Sequence, residues 1–361
     1  MSNQSNLSEK LLPEYASGEA IASSDIGHVG LDLHIGDAPA SDVFTESERI
    51  AYLKRHGGHV LSFCSMQPNM RYFDMPGIGY LSFMTSFTGK PFLLGDPVCA
   101  KEHMPLMIDA FLRRYPNVIF CQVSKPVMHY LHTAHNYYGT QMGSQSNIDL
   151  TKWDLKGKKK QVIRTAINQA KNKGVTVHES FCASQTREIS ENWIKTRKVK
   201  SQEIRFLIRP LRMSYSAGVR NFYAYVDDKP VGFVFFDPIY ENNEVVSYVP
   251  NISRSSVEFN QGLFYTIMSH AMDVFKAEGI KRLDLGLIPM SMADDDEKQE
   301  SKWVKGAMRF CYKHGNFLYN FKGIEFTKSR FRGEIERTYI CHRGAMPVFD
   351  FIGMFKILNV I

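Results

Sequence analysis

The segment Val245–Pro289 constrains the fold of this chain more than any other stretch, because it has the pattern of strand, helix and strand in succession. The β-rich runs Val245–Val249 and Arg282–Leu287 predict the two strands, and an amphipathic stretch lies between them. Two strands joined through a helix are expected to be parallel neighbours, connected by a right-handed crossover. The segment therefore predicts an α/β unit.

The helix of this unit is predicted from apolar residues that recur at three- and four-residue spacing after Leu263. Gly262 precedes it, and Gly279 closes it as a C-terminal cap. The start of a helix presents free N–H groups and a partial positive charge, and a glycine there would let a ligand approach the backbone. Asn251 and Arg254 fall in the polar stretch before the helix, which we interpret as a loop. This layout is typical of an acyl-transfer crevice.

Length and charge bound the class of protein. A chain of 361 residues is expected to form two domains, and 44% hydrophobic residues with 12% aromatics suffice for real cores. The net charge of +7 suits a phosphate-bearing partner, whether RNA, a lipid headgroup or a nucleotide. The six cysteines form no CxxC pair, and residues 1–16 lack the apolar core of a signal peptide. We therefore expect reduced cysteines and a cytoplasmic location.

A second unit of the same layout precedes the first. Residues 1–46 lack sustained periodicity and are interpreted as a disordered leader. From His59 the pattern favours strands, at residues 59–66, 70–75, 79–87 and 91–98. The helical pattern Met104–Arg114 and a strand at residues 117–123 follow. Strand, turn, helix and strand thus occur twice, which predicts a duplicated α/β unit.

A basic stretch, residues 155–174, joins the two units. It contains Lys158, Lys159, Lys160 and Arg164, and no acidic residue. Apolar residues from Val162 to Ala170 predict a helix that Gly174 ends. The basic face of this helix is either a solvated surface or a contact for a phosphate backbone.

The C-terminal part alternates aromatic and basic residues over residues 317–342. We interpret Lys328 and Arg330 as alternating along a strand, where both would face a phosphodiester. Tyr319 is either a core aromatic or a platform on which the terminal adenine of a tRNA stacks. Residues 346–361 are amphipathic and are either a helix docked on the protein or an anchor at the inner face of the membrane.

Four short motifs resemble one family, the C-terminal catalytic domain of phosphatidylglycerol lysyltransferases. Leu94–Pro97 is similar to its GDP turn, Gly157–Gly174 to its basic helix, and Leu285–Pro289 to its LGLAP strand end. The segment Tyr319–Ile324, followed by Lys328 and Phe331, is similar to its YNFQGL segment. The resemblance covers about Tyr52 to His342.

This resemblance implies two tandem acyltransferase-like (GNAT-like) domains with mixed sheets flanked by helices, an α/β (α+β) fold. We place them at residues 47–150 and 151–345. It also implies aminoacyl-tRNA as the donor substrate, no cofactor, and transfer to a phosphatidylglycerol-type headgroup or to a small amine or hydroxyl. We find no counterpart of the family's multi-span membrane domain in this sequence, so a small soluble acceptor stays an open alternative to the lipid. Peripheral contact with the membrane also stays open.

The predicted catalytic set is Arg254, Glu258, Asn251 and Glu325. Arg254 would hold the terminal phosphate, the ribose or the oxyanion, or would pair structurally with Glu258. Asn251 stands where the family has an acid, and Thr338 where it has an arginine, so Asn251 is not a general base. Glu258, Glu325 and Asp96 are the candidates for that role. The predicted substrate-binding set is Lys158, Lys159, Lys160, Arg164, Gly262, Tyr319, Lys322, Lys328 and Arg330.

Two rival functions are weighed against this prediction. An acyl-CoA N-acyltransferase needs a glycine-rich pyrophosphate loop, whereas residues 259–264 read FNQGLF, with Phe264 crowding the phosphates. A non-catalytic module that binds RNA or anionic membrane through the basic helix is the second rival. Metal catalysis is not expected, because the histidines form no HxxxH or HExxH motif, and His129, His132 and His135 are interpreted as one helix surface.

Overall fold

The computed structural model describes residues 43–195, 203–212, 216, 218–256, 262–292, 297–314, 320–344 and 348–360. Most of the predicted leader, Glu258 and Tyr319 lie outside these residues. The last residues of the predicted leader are already structured, because Thr45 caps the first helix in a capping box with Glu48.

The helices of the described residues are α1 Glu46–His56, α2 Met104–Arg114, α3 Lys125–His135, α4 Gln161–Asn172, α5 Ala183–Lys195, α6 Leu263–Ala277, α7 Lys302–His314, α8 Phe321–Ser329 and α9 Val348–Ile357. Helices α2, α4 and α6 lie close to the predicted amphipathic stretches, whereas α1 and α8 were not predicted as helices. No helix of the described residues is both long and apolar enough to cross a bilayer.

The strands form a single sheet through the described part of the chain. They are β1 Arg71–Met75, β2 Gly79–Thr85, β3 Pro91–Leu94, β4 Val98–Cys99, β5 Ile119–Val123, β6 Tyr138–Asp149, β7 Thr176–Glu179, β8 Arg220–Val226, β9 Lys229–Glu241, β10 Glu244–Ser255, β11 Arg282–Pro289 and β12 Glu334–His342. Their order is β1-β2-β3-β5-β12-β6-β11-β10-β9-β8-β7, with β4 beside β2.

The duplicated strand–helix–strand unit is confirmed. β3 and β5 pair in parallel around α2, and β10 and β11 pair in parallel around α6. The remaining pairs among the described strands are antiparallel. The fold is thus mixed α/β with helices against the sheet. The boundary at residue 150 stays a prediction, since β12 lies between β5 and β6 and joins both predicted domains.

Three local predictions are wrong. Residues 62–66 of the expected strand form a 3₁₀ turn. The polar stretch with Asn251 and Arg254 is the end of β10, because it pairs with Phe233–Phe236 of β9 and its polar side chains find partners in the fold. Lys328 lies on α8 and not on a strand, because Asn320 caps a helix there by accepting a hydrogen bond from the Gly323 N–H group at 3.1 Å.

The C-terminal helix α9 docks on the protein. Met354, Ile357 and Leu358 are buried in the same apolar core as Phe92 of β3. Side chains that are buried in this way cannot insert into lipid, although Phe349 of the same helix is 67% exposed. Of the two interpretations of residues 346–361, the structure therefore favours the docked helix.

Candidate functional site

The parallel strands β10 and β11 separate towards their carboxyl ends. They pair only at Ser247–Arg282 and Tyr248–Leu283. Beyond these residues β10 continues beside β9 as far as Ser255, and β11 continues beside β6 as far as Pro289. The two strands therefore leave a wedge at the sheet edge where α/β proteins commonly bind ligands.

Lys328 reaches into this wedge from α8. Its Nζ donates a hydrogen bond to the main-chain oxygen of Leu287 at 2.8 Å. Gly286 has a φ of +70°, and a Cβ there would lie 3.2 Å from Val249 Cγ2 and 3.7 Å from Lys328 Nζ. A glycine is thus favoured by the backbone conformation and by the close approach of Val249, while the lysine amine lies at ordinary contact distance.

Burial lowers the pKa of Lys328 to about 7, because an enclosed ammonium loses its hydration. A substantial fraction of this amine is therefore neutral at neutral pH and able to accept a proton. Such a perturbed group at a strand end is a candidate acid–base residue.

Glu325 lies one turn before Lys328 on α8, so the two side chains share a helix face. Its carboxylate accepts hydrogen bonds from Ser291 Oγ at 3.2 Å and from the hydroxyl of Tyr312 on α7. The hydrogen bond to Glu325 raises the pKa of Tyr312 to about 12, so that hydroxyl stays protonated. The structure thus brings Glu325 and Lys328 together at the end of β11, and adds Tyr312 and Ser291, which carried no sequence signal.

Arg254 is buried and already has partners. Its guanidinium donates to Glu203 Oε1 at 2.8 Å and to Ser190 Oγ, and lies 4.9 Å from the centre of the Trp193 ring. Burial lowers the pKa of Arg254. Its expected structural partner Glu258 lies outside the described residues, and Glu203 pairs with it in the part that the structure describes.

Arg254 and the first turn of α6 line one cavity, which Gly262 does not reach. This cavity of about 160 Å³ is bounded by Trp193, Phe233, Ser253, Arg254, Ser255, Leu263, Phe264 and Ile267. Its volume is below the roughly 300 Å³ at which small-molecule pockets begin.

Gly262 does not present an open backbone. Its φ is +90°, and a Cβ there would lie 2.9 Å from the Cβ of Ala166 on α4. The space beside its Cα is thus taken by helix α4, and the approach of a ligand to its N–H group stays a prediction.

Asn251 belongs to a buried polar network. Its Nδ2 donates to the carboxylate of Asp237 and to Cys64 Sγ at 3.1 Å. Arg209 binds the same carboxylate with Nε at 2.8 Å and Nη2 at 2.6 Å from Oδ1. The side chain of Asn251 therefore has a structural use, and its predicted place in the catalytic set lacks support.

The basic residues before and in α4 divide into two groups. Lys158 and Lys159 are exposed. Lys160 Nζ donates to the Asp154 main-chain oxygen at 2.6 Å, and Arg164 donates to those of Leu155 and Gly157 at 2.5 and 2.7 Å. These two cations stabilise the preceding loop, whereas Lys158 and Lys159 are exposed to a large ligand.

The other predicted residues are spread over α8 and the first unit. Lys322 is exposed, and the Arg330 guanidinium stacks 3.9 Å from the centre of the Phe326 ring. Asp96 accepts a hydrogen bond from the Ser124 N–H group at 2.8 Å and so caps α3. In the turn after β3, Gly95 has a φ of +62°, and His59 Nδ1 lies 2.7 Å from where its Cβ would be, so this turn needs a glycine.

The helix surface predicted for His129, His132 and His135 is confirmed, since all three lie on α3 and none is buried. Among the described residues, no three His, Cys, Asp or Glu side chains are grouped so that they could hold a metal ion.

Known proteins match most of this chain. Residues 50–342 match the family described as phosphatidylglycerol lysyltransferase, C-terminal. The phosphatidylglycerol lysyltransferase of Bacillus subtilis (strain 168) is 23% identical over 313 residues, 82% of this chain and 35% of that protein. That of Staphylococcus aureus (strain MRSA252) is 20% identical over 352 residues, 91% of this chain and 39% of that protein. This chain thus spans between a third and two fifths of these relatives.

Two solved structures share the fold. L-PGS from Bacillus licheniformis superposes with a TM-score of 0.71 at 19% identity, over 88% of this chain and 95% of that chain. The C-terminal domain of a putative lysylphosphatidylglycerol synthetase from Agrobacterium fabrum also has a TM-score of 0.71, at 18% identity, over 87% and 97%.

Proposed function

Because this chain belongs to the phosphatidylglycerol lysyltransferase C-terminal family, we propose that it transfers an aminoacyl group from a charged tRNA to the headgroup of a phosphatidylglycerol-type lipid. Family membership confirms the resemblance read from the four motifs. The curated relatives named above are lysyltransferases, so a lysyl group is the first donor to test.

The position and pKa of Lys328 carry this proposal. In transfer, the oxygen of a lipid hydroxyl forms a bond to the acyl carbon, and the bond between that carbon and the ribose oxygen of the tRNA breaks. The neutral amine of Lys328, with a pKa of about 7, would take the proton of the attacking hydroxyl and return it to the ribose oxygen. While protonated, it would also stabilise the negative charge on the tetrahedral intermediate.

Glu325 is proposed to position Lys328 for this proton transfer. Its hydrogen bonds to Ser291 and Tyr312 hold α7 and α8 together at the end of β11. A fixed α8 keeps Lys328 against Leu287, and precise positioning is the largest part of what an activated ester requires. We therefore assign Lys328 as the general base and Glu325 as a positioning residue.

The donor is proposed to bind through exposed cations. Lys158 and Lys159 precede α4, and Lys322 lies on α8. Each would contact phosphates without reading the base sequence. The acyl-CoA alternative is disfavoured by the sequence FNQGLF at the start of α6, because Phe264 stands where a loop that wraps a diphosphate has a small residue.

The test is transfer of radiolabelled lysine from lysyl-tRNA to phosphatidylglycerol vesicles, followed as label in the lipid extract. We expect label in lipid only when protein, charged tRNA and phosphatidylglycerol are all present. If the label moves instead to a small amine or alcohol from cell extract, the acceptor is that small molecule and not the lipid. Loss of label no faster than spontaneous hydrolysis, with acyl-CoA consumed instead, would overturn the proposal, and inactivity with every donor would favour a binding module.

A further inference from the structure

Helix α7 exposes two large aromatic side chains. Trp303 is 85% exposed and Phe310 is 66% exposed. They are seven residues apart, about two turns, so both project from one side of the helix. Apolar groups of this size leave water readily when a suitable surface is present.

The same outer half of α7 is basic. Lys302, Arg309 and Lys313 are exposed, and the helix contains no acidic residue. Lys305 is the exception among its lysines, because it is buried and pairs with Glu300 at 2.5 Å. On a helical wheel the three exposed cations lie roughly 90° from the aromatic pair. The outer face thus combines an apolar stripe with a positively charged one.

The inner face of α7 packs beside the candidate site. Val304 and Met308 are buried in the core that contains Val249 of β10, and Tyr312 donates its hydroxyl hydrogen to Glu325. A helix is roughly 10 Å across. A ligand on the outer face of α7 is therefore about one helix diameter from the side that meets the wedge.

We propose that the outer face of α7 docks on an anionic lipid bilayer. Trp303 and Phe310 would enter the boundary between headgroups and acyl chains, and Lys302, Arg309 and Lys313 would contact lipid phosphates. The charge of the face complements an anionic surface, and its aromatic and basic composition is typical of interfacial helices. This inference rests on the proposed function, since docking there would bring the acceptor headgroups to the site. The proposed membrane contact is thus α7 and not α9, whose Met354 and Ile357 are buried in the core.

The test measures binding without tRNA, so that it does not depend on turnover. Wild-type protein is sedimented with vesicles of phosphatidylglycerol and phosphatidylcholine, or of phosphatidylcholine alone. We expect binding to the anionic vesicles and a blue shift of tryptophan fluorescence. W303A/F310A should bind at least tenfold more weakly and lose most of the shift. K302E/R309E/K313E should lose the preference for anionic lipid.

The matched control is L106A/F181A, which removes two exposed apolar side chains from α2 and from the segment before α5. It should bind vesicles as the wild type does, and circular dichroism should show all variants folded. Equal vesicle binding by W303A/F310A and wild type would overturn the inference. If that variant also loses affinity for tRNA, the outer face of α7 contacts tRNA and not the bilayer. Vesicle binding that depends on α7 in a protein that transfers no aminoacyl group would refute the proposed function and leave the docking face standing.

Discussion

Lys328 Nζ donates its hydrogen bond to the main-chain oxygen of Leu287 across 2.8 Å, which joins α8 to the diverging end of β11. The amine lies beside Gly286, 3.7 Å from where a Cβ of that glycine would be. The bond places a partly neutral amine where β10 and β11 have separated. The first two predictions test this contact.

Replacing Lys328 with Met should lower the transfer rate by about 10²–10⁴-fold, the usual contribution of a general base. Methionine keeps most of the volume but cannot accept a proton. In the wild type the rate should rise with pH through about 7, because the amine with its lowered pKa must be neutral to act. Rates are measured at saturating donor from about pH 6 to about pH 9. Lys276→Met, at an exposed lysine on α6, controls for loss of charge, and a K328M variant with an unchanged pH profile would exclude the role.

The same lysine should make stability depend on pH. Its pKa is about 7 in the folded protein against an ordinary 10.5, so between these values the unfolded chain binds more protons. The free energy of unfolding therefore increases as pH rises through that window. Below about pH 7 the folded protein bears the full cost of keeping the Lys328 ammonium away from water. Urea unfolding should show wild type gaining on the order of 2 kcal/mol relative to K328M between about pH 7 and about pH 9.5. A constant difference would show that the pKa is not lowered.

Gly262→Ala should destabilise the protein by about 2–3 kcal/mol, through strain at positive φ and a clash with Ala166. Gly279→Ala is the matched control, because Gly279 has a φ of +85° but no atom within 4 Å of an added Cβ. We expect about 1 kcal/mol for this control. The difference between the stability losses of G262A and G279A, measured by urea unfolding, gives the contribution of the contact between α6 and α4. Equal losses would show that backbone strain alone accounts for the effect.

Arg254→Met should destabilise the fold by about 2–4 kcal/mol, because it leaves Glu203 without its cation beside a buried site. A double-mutant cycle with Glu203→Gln measures the coupling of the pair. If R254M instead melts like wild type but transfers no aminoacyl group, Arg254 acts on the substrate and not on the fold.

K158E/K159E should weaken tRNA binding and reduce the salt slope by about 2, one for each lost phosphate contact. The fold should be unaffected, because both side chains are exposed. K171E/K173E, which reverses two exposed charges at the other end of α4, distinguishes a local contact from general attraction. Equal effects of the two variants would indicate general attraction alone.

The repeated strand–helix–strand units and the bounds of several of their elements follow from the local sequence. α2 was predicted at Met104–Arg114, and Gly262 and Gly279 bracket α6 at positive φ. Apolar periodicity and glycine conformation depend on residues within a turn or two, so the local sequence contains that information. The family could be identified from the sequence for the same reason, because each of its short motifs is contained in a few consecutive residues.

The roles of the polar residues depend on contacts between segments that are far apart in sequence. Glu203, which pairs with Arg254, is 51 residues away in sequence, and Leu287, which binds Lys328, is 41 away. The packing of α8 over β11 turned a residue expected on an exposed strand into a buried amine with a pKa of about 7. Burial and ion pairing arise from segments that meet only on folding, and the free energy of desolvation depends on those neighbours rather than on the local sequence.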